Sequence, residues 1–163
     1  MRVTPPESAD WNAADASYMA MMVPHHRQAL DMAELAATQA EDPLVSAIAA
    51  AIDTAQGVEI LVMADWLVDR DLPEPEADDA MAGMGGMQGM LTEDQLDALA
   101  AADGAEFDRL FLEGMIQHHE GAIAMAGTVL NQGEDVVTNE LASDVSASQS
   151  AEITRMREIL ARL

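Results

Sequence analysis

The chain has 163 residues, which is long enough for one domain with a substantial core, and it is rich in the helix-forming residues alanine, leucine, methionine and glutamate. It carries 30 acidic side chains against 7 basic ones, so its net charge of −23 excludes nucleic acids and anionic membranes as partners and attracts cations. The same charge also suits solubility or a salty environment. Because there is no cysteine, disulfides and thiolate metal sites are excluded as well.

The first predicted helix spans residues 12–38, with Asp10 or Asn12 as its N-cap. Pro24 lies inside this helix, directly before His25. Proline lacks the N–H group that would bond to the carbonyl group one turn earlier. We therefore expect the helix to be interrupted, with a kink beside the histidines.

A second helix is predicted over residues 43–69, where Asp42 supplies the N-cap and Pro43 the first helical position. The short connection makes the first two helices antiparallel neighbours. Residues 71–104 then form a linker that is acidic at first and afterwards rich in methionine and glycine.

The linker carries a methionine at every third position, and the glycines between them disfavour a helix. We expect these thioethers to lie on flexible backbone outside the core, either as a mobile arm that wraps a monovalent copper ion or as a linker without a ligand role. They are Met81, Met84, Met87 and Met90.

The remaining chain predicts three more helices. A short one over residues 92–101 begins with the capping-box pattern of Thr92 and Gln95. The second histidine-bearing helix covers residues 105–130, and the last helix covers residues 135–162. The four long helices predict an all-α four-helix bundle.

The two histidine-bearing stretches repeat at a constant offset of 93 residues, so that His25 returns as His118 and His26 as His119. The offset continues into the following helix of each half, which indicates a duplication. We expect a single domain over residues 1–163, built from helical-hairpin repeats at 10–70 and 105–163 that are joined by the linker.

Imidazole and thioether groups occur together on one face of each histidine-bearing helix. This combination, without thiolate, is typical of Cu(I) and Ag(I) sites. Adjacent histidines point about 100° apart, so they are not expected to chelate one ion as a pair; one is expected to face the core and its neighbour a groove or solvent. The alternative is that the histidines are hydrogen-bonded core residues and the methionines fill gaps. The candidate ligands are Met22, His25, His26, Met32, Met115, His118, His119 and Met125.

Glu59 and Glu152 are predicted on the inner faces of the second helix of each repeat, beside Gln56 and Gln149. A buried carboxylate needs a partner, which here is a metal ion, a histidine or a network of helix-end amides. Ligation and a structural polar layer are equal alternatives. The motif Glu-x-x-His is absent from the sequence, which disfavours an oxygen-activating di-iron site.

The stretches from Asn12 to Ala33 and from Phe111 to Ala126 resemble the family known as domain of unknown function 305, through their paired His-His and Met-Ala motifs. The second helix and the linker are similar too, so the resemblance covers residues 10–163. It implies a ferritin-like four-helix bundle that is usually exported, with some members binding copper in the periplasm. It also implies the eight histidine and methionine ligands named above.

The leading hypothesis is a copper-binding protein that sequesters or relays Cu(I) or confers resistance, with Ag(I) as a mimic and other ions left open. The alternatives are a ferritin-like oxidoreductase that uses Glu59, Glu152 and the histidines, and a methionine-rich protein-interaction module. Expected partners are the metal ion and either a second copy or a copper-handling protein, without membrane insertion. The resemblance implies a secreted or periplasmic location, with a cytoplasmic one left open. Metal affinity at the histidines is expected to fall as the pH drops through roughly 6.5.

Overall fold

The computed structural model describes residues 4–73 and 87–163, and within these ranges the chain forms five α-helices and no strands. The all-α prediction is confirmed, and every predicted boundary is within one turn of the observed one. The helices are α1 (Ala13–Gln39), α2 (Pro43–Val68), α3 (Glu93–Ala101), α4 (Gly104–Gln132) and α5 (Val136–Leu160).

Local capping signals start the helices where the sequence predicts. Asn12 and Asp15 form a capping box at the start of α1, so Asn12 is the N-cap of the two candidates. Asp42 caps α2 through its side chain. Thr92 and Gln95 form the capping box of α3. Side-chain oxygens thus satisfy backbone N–H groups that have no partner within the helix.

Pro24 does not interrupt α1, which continues without a break from Ala13 to Gln39. The predicted interruption is therefore wrong. Proline removes only one backbone hydrogen bond of the helix, and Pro24 is buried together with Val23 and His25 on either side. Packing against the neighbouring helices holds the turns around the proline in place.

Asp15 and Asp108 connect the two halves of the chain. Asp108 accepts hydrogen bonds of 3.1 and 2.7 Å from two consecutive backbone N–H groups in the α1–α2 turn. Asp15 does the same in the α4–α5 turn, at 3.0 and 3.2 Å. Each half therefore uses an aspartate near the start of its histidine-bearing helix to fix the turn of the opposite half.

We expect Asp108→Ala to lower the free energy of unfolding by about 2 kcal/mol, because two partly buried N–H groups lose a charged acceptor. Asp144→Ala is the control, since Asp144 is exposed on α5 and should change stability by less than about 0.5 kcal/mol. Urea unfolding followed by circular dichroism measures both. Equal stability of the two variants would contradict this role of Asp108.

The buried apolar residues form two clusters, and all four long helices contribute to each of them. One cluster contains the start of α1 and the other its end. On every long helix, polar residues lie between the two clusters, and we call this set the polar layer. It comprises His25, His26, Gln56, Glu59, His118, His119, Gln149 and Glu152.

Among the described helices, α2 is the only one that is long and apolar enough to cross a membrane, with a mean hydropathy of 1.5 over its most apolar stretch. Its Gln56 and Met63 are nevertheless buried against the rest of the protein, and α2 contributes to both apolar clusters. Only 28% of that stretch is buried, however, and Val58, Leu61 and Val62 are exposed. Length and composition alone are weak grounds for a membrane span.

Candidate metal centre

The four histidines have no exposed surface and lie at the centre of the polar layer. The rings of His25 and His118 face each other between α1 and α4, with centroids 3.8 Å apart and planes tilted by 37°. His26 and His119 lie farther out, with centroids 6.3 and 6.2 Å from those of their sequence neighbours. The expectation that one histidine of each pair reaches solvent is therefore wrong, and the alternative that it reaches an interhelical groove stays a prediction.

Each outer histidine pairs with a glutamate of the adjacent helix. Nε2 of His26 lies 2.6 Å from Oε2 of Glu59, and Nε2 of His119 lies 2.7 Å from Oε2 of Glu152. The glutamate side chains are only 18% and 16% exposed, so they cover the outer rings. Of the partners that the sequence leaves open for these carboxylates, the structure shows histidine.

Each inner histidine bonds to a backbone carbonyl group. Nε2 of His118 lies 2.9 Å from the carbonyl oxygen of His25, and Nε2 of His25 lies 3.0 Å from that of Gln88. Carbonyl and carboxylate oxygens only accept hydrogen bonds, so Nε2 carries the proton in all four imidazoles. In each neutral ring, Nδ1 is then left with a free lone pair.

All four Nδ1 atoms are buried, and none has a hydrogen-bond partner among the described residues. The same holds for both amide atoms of Gln56 and Gln149 and for the hydroxyl group of Tyr18. Buried polar atoms are normally paired, so a concentration of unpaired ones marks a place where a metal ion or buried water molecules could bind. In a neutral imidazole, such a nitrogen can bind a metal ion, because histidine ligands of metals commonly donate their other N–H group to a carboxylate or a carbonyl oxygen.

Burial keeps the inner histidines neutral. Desolvation, together with repulsion from His26, lowers the pKa of His25 to about 3. Desolvation and the neighbouring His25 hold the pKa of His118 well below its ordinary value. Neutral imidazole is the form that binds metals. The expected loss of affinity near pH 6.5 assumes an exposed histidine and does not apply to these two in the folded protein.

The four predicted methionine ligands of the helices lie on both sides of the polar layer. Met22 and Met125 belong to the apolar cluster at the start of α1, and Met32 and Met115 to the one at its end. All four are buried. Thioethers therefore occur in both apolar clusters that flank the polar layer, where they also serve as core residues.

The linker methionines differ in how exposed their side chains are. Met87 is only 7% exposed, and Met90 is half-buried. The expectation that these thioethers lie outside the core is therefore wrong for Met87. Met81 and Met84 lie outside the described residues.

Residues 87–91 are held against α1 and α4. Gln28 binds the backbone N–H and carbonyl groups of Leu91 at 2.8 and 3.1 Å. Gly89, with a φ of +84°, packs on Gly121 of α4, where a Cβ atom would collide with the carbonyl group of Gln88. This is the carbonyl group that orients an inner histidine. Both glycines are needed because two backbones meet without room for a side chain.

Within residues 4–73 and 87–163, no three histidine, aspartate or glutamate side chains converge as a metal-binding group. A binuclear oxidase centre depends on carboxylates that bind the ions directly. Here Glu59 and Glu152 are each engaged with a histidine. A metal site in this part of the chain would therefore combine at most two such side chains with thioether donors.

Comparison with known proteins places these features in a family. The chain matches a family described as a domain of unknown function (DUF305) over residues 15–160. A DUF305 protein from Streptomyces coelicolor that is proposed to be secreted is 32% identical, with 95% of each chain covered and a TM-score of 0.81. A DUF305 fragment from Deinococcus radiodurans is 27% identical, with 98% of this chain and 100% of the fragment covered and a TM-score of 0.83.

A third structural relative is CopM, whose Cu(II)-bound form is 38% identical, with 91% of this chain and 96% of CopM covered and a TM-score of 0.79. CopM is also known in Cu(I)-bound and silver-bound forms. An uncharacterised protein, L153, of Acanthamoeba polyphaga mimivirus is 42% identical over 53 residues, which are 32% of this chain. The match covers 35% of the length of that viral protein.

Proposed function

The chain belongs to the DUF305 family, and from this premise we propose that it binds a soft monovalent metal ion, Cu(I) with Ag(I) as its mimic, in the polar layer. The observation that carries the proposal is the set of four buried Nδ1 atoms, none of which has a hydrogen-bond partner among the described residues. CopM, a relative solved with copper and silver, adds support from within the family. The proposed ligands are the four histidines and thioethers of the adjacent clusters, with at most two imidazoles to one ion, because no three histidine, aspartate or glutamate side chains of residues 4–73 and 87–163 converge.

The chemistry of the donors favours a soft ion of low charge. Imidazole and thioether are neutral, borderline to soft ligands, and the site contains no thiolate. Transferring a monovalent ion into a buried, largely neutral layer costs less than transferring a divalent one. The carboxylates of Glu59 and Glu152 partly neutralise the charge and orient the outer imidazoles without needing to touch the metal.

The proposed role is copper sequestration or relay in the cell envelope or outside the cell, without a catalysed reaction. It treats residues 1–163 as one domain whose four long helices form a ferritin-like bundle around the site. The linker methionines, Met81, Met84, Met87 and Met90, are included as thioethers that deliver the ion.

An anaerobic competition titration of Cu(I) against a chromogenic chelator tests the proposal. The wild-type protein is compared with a variant in which all four histidines are replaced by asparagine, after circular dichroism has shown that the variant is helical. X-ray absorption at the copper edge should show nitrogen and sulfur neighbours. Binding by the wild type that is no tighter than binding by the variant would contradict the proposal.

We expect Glu59→Gln and Glu152→Gln to weaken Cu(I) binding by about 10- to 100-fold each, because the outer imidazoles lose a charged acceptor that fixes their orientation. Glu113→Gln is the matched control, since Glu113 lies on α4 and pairs only with the exposed Arg109. Its affinity should equal that of the wild type. An unchanged affinity in both of the first two variants would show that the carboxylates do not support the site.

A further inference from the structure

A cavity of about 250 Å³ lies between α1, α4 and the start of residues 87–91. Three of the side chains that line it are methionines, and they come from three separate segments of the chain: Met21 from α1, Met87 from the linker and Met125 from α4. None of the described residues that line it is charged. The cavity therefore offers sulfur in a neutral setting.

These methionines differ from those that only fill the core. Met19 has no exposed surface and is enclosed by other side chains. Met21 is partly exposed, and Met87 and Met125, although each is only 7% exposed, line the open space of the cavity. A thioether that faces an accessible cavity can bind an ion without first leaving a packed position. Met21 is also absent from the ligands that the sequence predicts.

We infer that this cavity is a second, sulfur-only binding site for a soft monovalent cation, built from the thioethers of Met21, Met87 and Met125. Neutral thioethers select Cu(I) or Ag(I) over magnesium, calcium and other hard ions, which need oxygen donors. The net charge of −23 raises the concentration of cations near the surface of the protein.

The position of the cavity also indicates a role for the sulfur site, and this role rests on the function proposed above. Met87 is followed directly by Gln88, whose carbonyl oxygen accepts the hydrogen bond of His25. Gln88 also lines the cavity, so the sulfur site is connected to His25 through this one residue and captures the ion on its way to the histidines. The ion passes from thioether to imidazole by ligand exchange, so it stays monovalent and no electron is transferred.

Silver titration of the full chain, labelled with ¹³C at the methionine methyl groups, tests the inference by NMR. The methyl signals of Met21, Met87 and Met125 should shift on addition of Ag(I). The double variant Met21→Leu/Met87→Leu should bind one silver ion fewer than the wild type and load the polar layer at least about tenfold more slowly. Leucine replaces methionine with little loss of stability, and Met19→Leu on α1 is the control, with unchanged silver binding.

The inference is overturned if the three methyl signals stay in place, or if the double variant binds as many silver ions as the Met19→Leu control. The four-histidine variant separates this result from the proposed function. Silver that this variant retains, and that it loses when Met21→Leu and Met87→Leu are added, supports the sulfur site even if the histidines bind nothing. Failure of the proposed function would instead appear as equal Cu(I) affinity of the wild type and the four-histidine variant.

Discussion

Replacing both inner histidines by asparagine, in the variant His25→Asn/His118→Asn, is expected to lower the affinity for Cu(I) by more than about 100-fold. Removing the hydrogen-bond partner of a ligating histidine alone lowers the metal affinity by about 10- to 100-fold. The loss of two ligating nitrogens should lower the affinity further. The rings of these residues lie 3.8 Å apart, so the variant removes both donors from the middle of the layer. The measurement is the same competition titration, carried out at pH 7.

A loss of fold must be separated from a loss of ligands in this experiment. Asp108→Ala is a suitable control, because it is expected to destabilise the protein while it leaves every imidazole in place. Its Cu(I) affinity should match that of the wild type. An inner-histidine variant that binds Cu(I) as tightly as the Asp108→Ala control would show that the inner pair does not hold the metal.

The sequence predicts the helices well because their signals are local. The caps at Asn12, Asp42 and Thr92 depend on residues within one turn, and they fix the helix starts. The prediction at Pro24 is wrong because it also depends on local residues alone. One lost hydrogen bond is a local cost, whereas the burial that outweighs it depends on helices far away in the sequence.

The site is predicted in composition but not in geometry. The repeat identifies the four histidines and also Glu59 and Glu152, yet periodicity cannot say which partner a buried carboxylate takes. A backbone carbonyl group is the same in every residue, so its contacts cannot be read from residue types. The hydrogen bond from His25 to the carbonyl group of Gln88 could therefore not be predicted. Met21 was missed because it lies outside the repeated face and becomes relevant only where the linker folds back.

The contact between Gly89 and Gly121 holds residues 87–91 on α4, and this leads to the other large expected effect. We expect Gly121→Ala to lower the free energy of unfolding by about 3 kcal/mol, at the upper end of the usual cost of overpacking. The new Cβ atom would collide with the backbone of Gln88 and Gly89, and neither can yield as a flexible side chain could. The linker would have to lift from α4, with loss of the bonds that Gln28 makes to Leu91.

Gly127→Ala in the same helix is the matched control, because a Cβ atom at Gly127 meets nothing within 4 Å. Alanine is a better helix former than glycine by about 1 kcal/mol, so this variant should be more stable than the wild type. Urea unfolding compares the two, and limited proteolysis should show faster cleavage near residue 88 only in Gly121→Ala. If both substitutions stabilise the protein equally, residues 87–91 are not packed on α4 in solution.

Copper titration of the Gly121→Ala variant then measures how much the linker contributes to metal binding. The Cu(I) affinity should fall, because His25 loses its carbonyl acceptor. It should fall less than when the imidazole itself is removed.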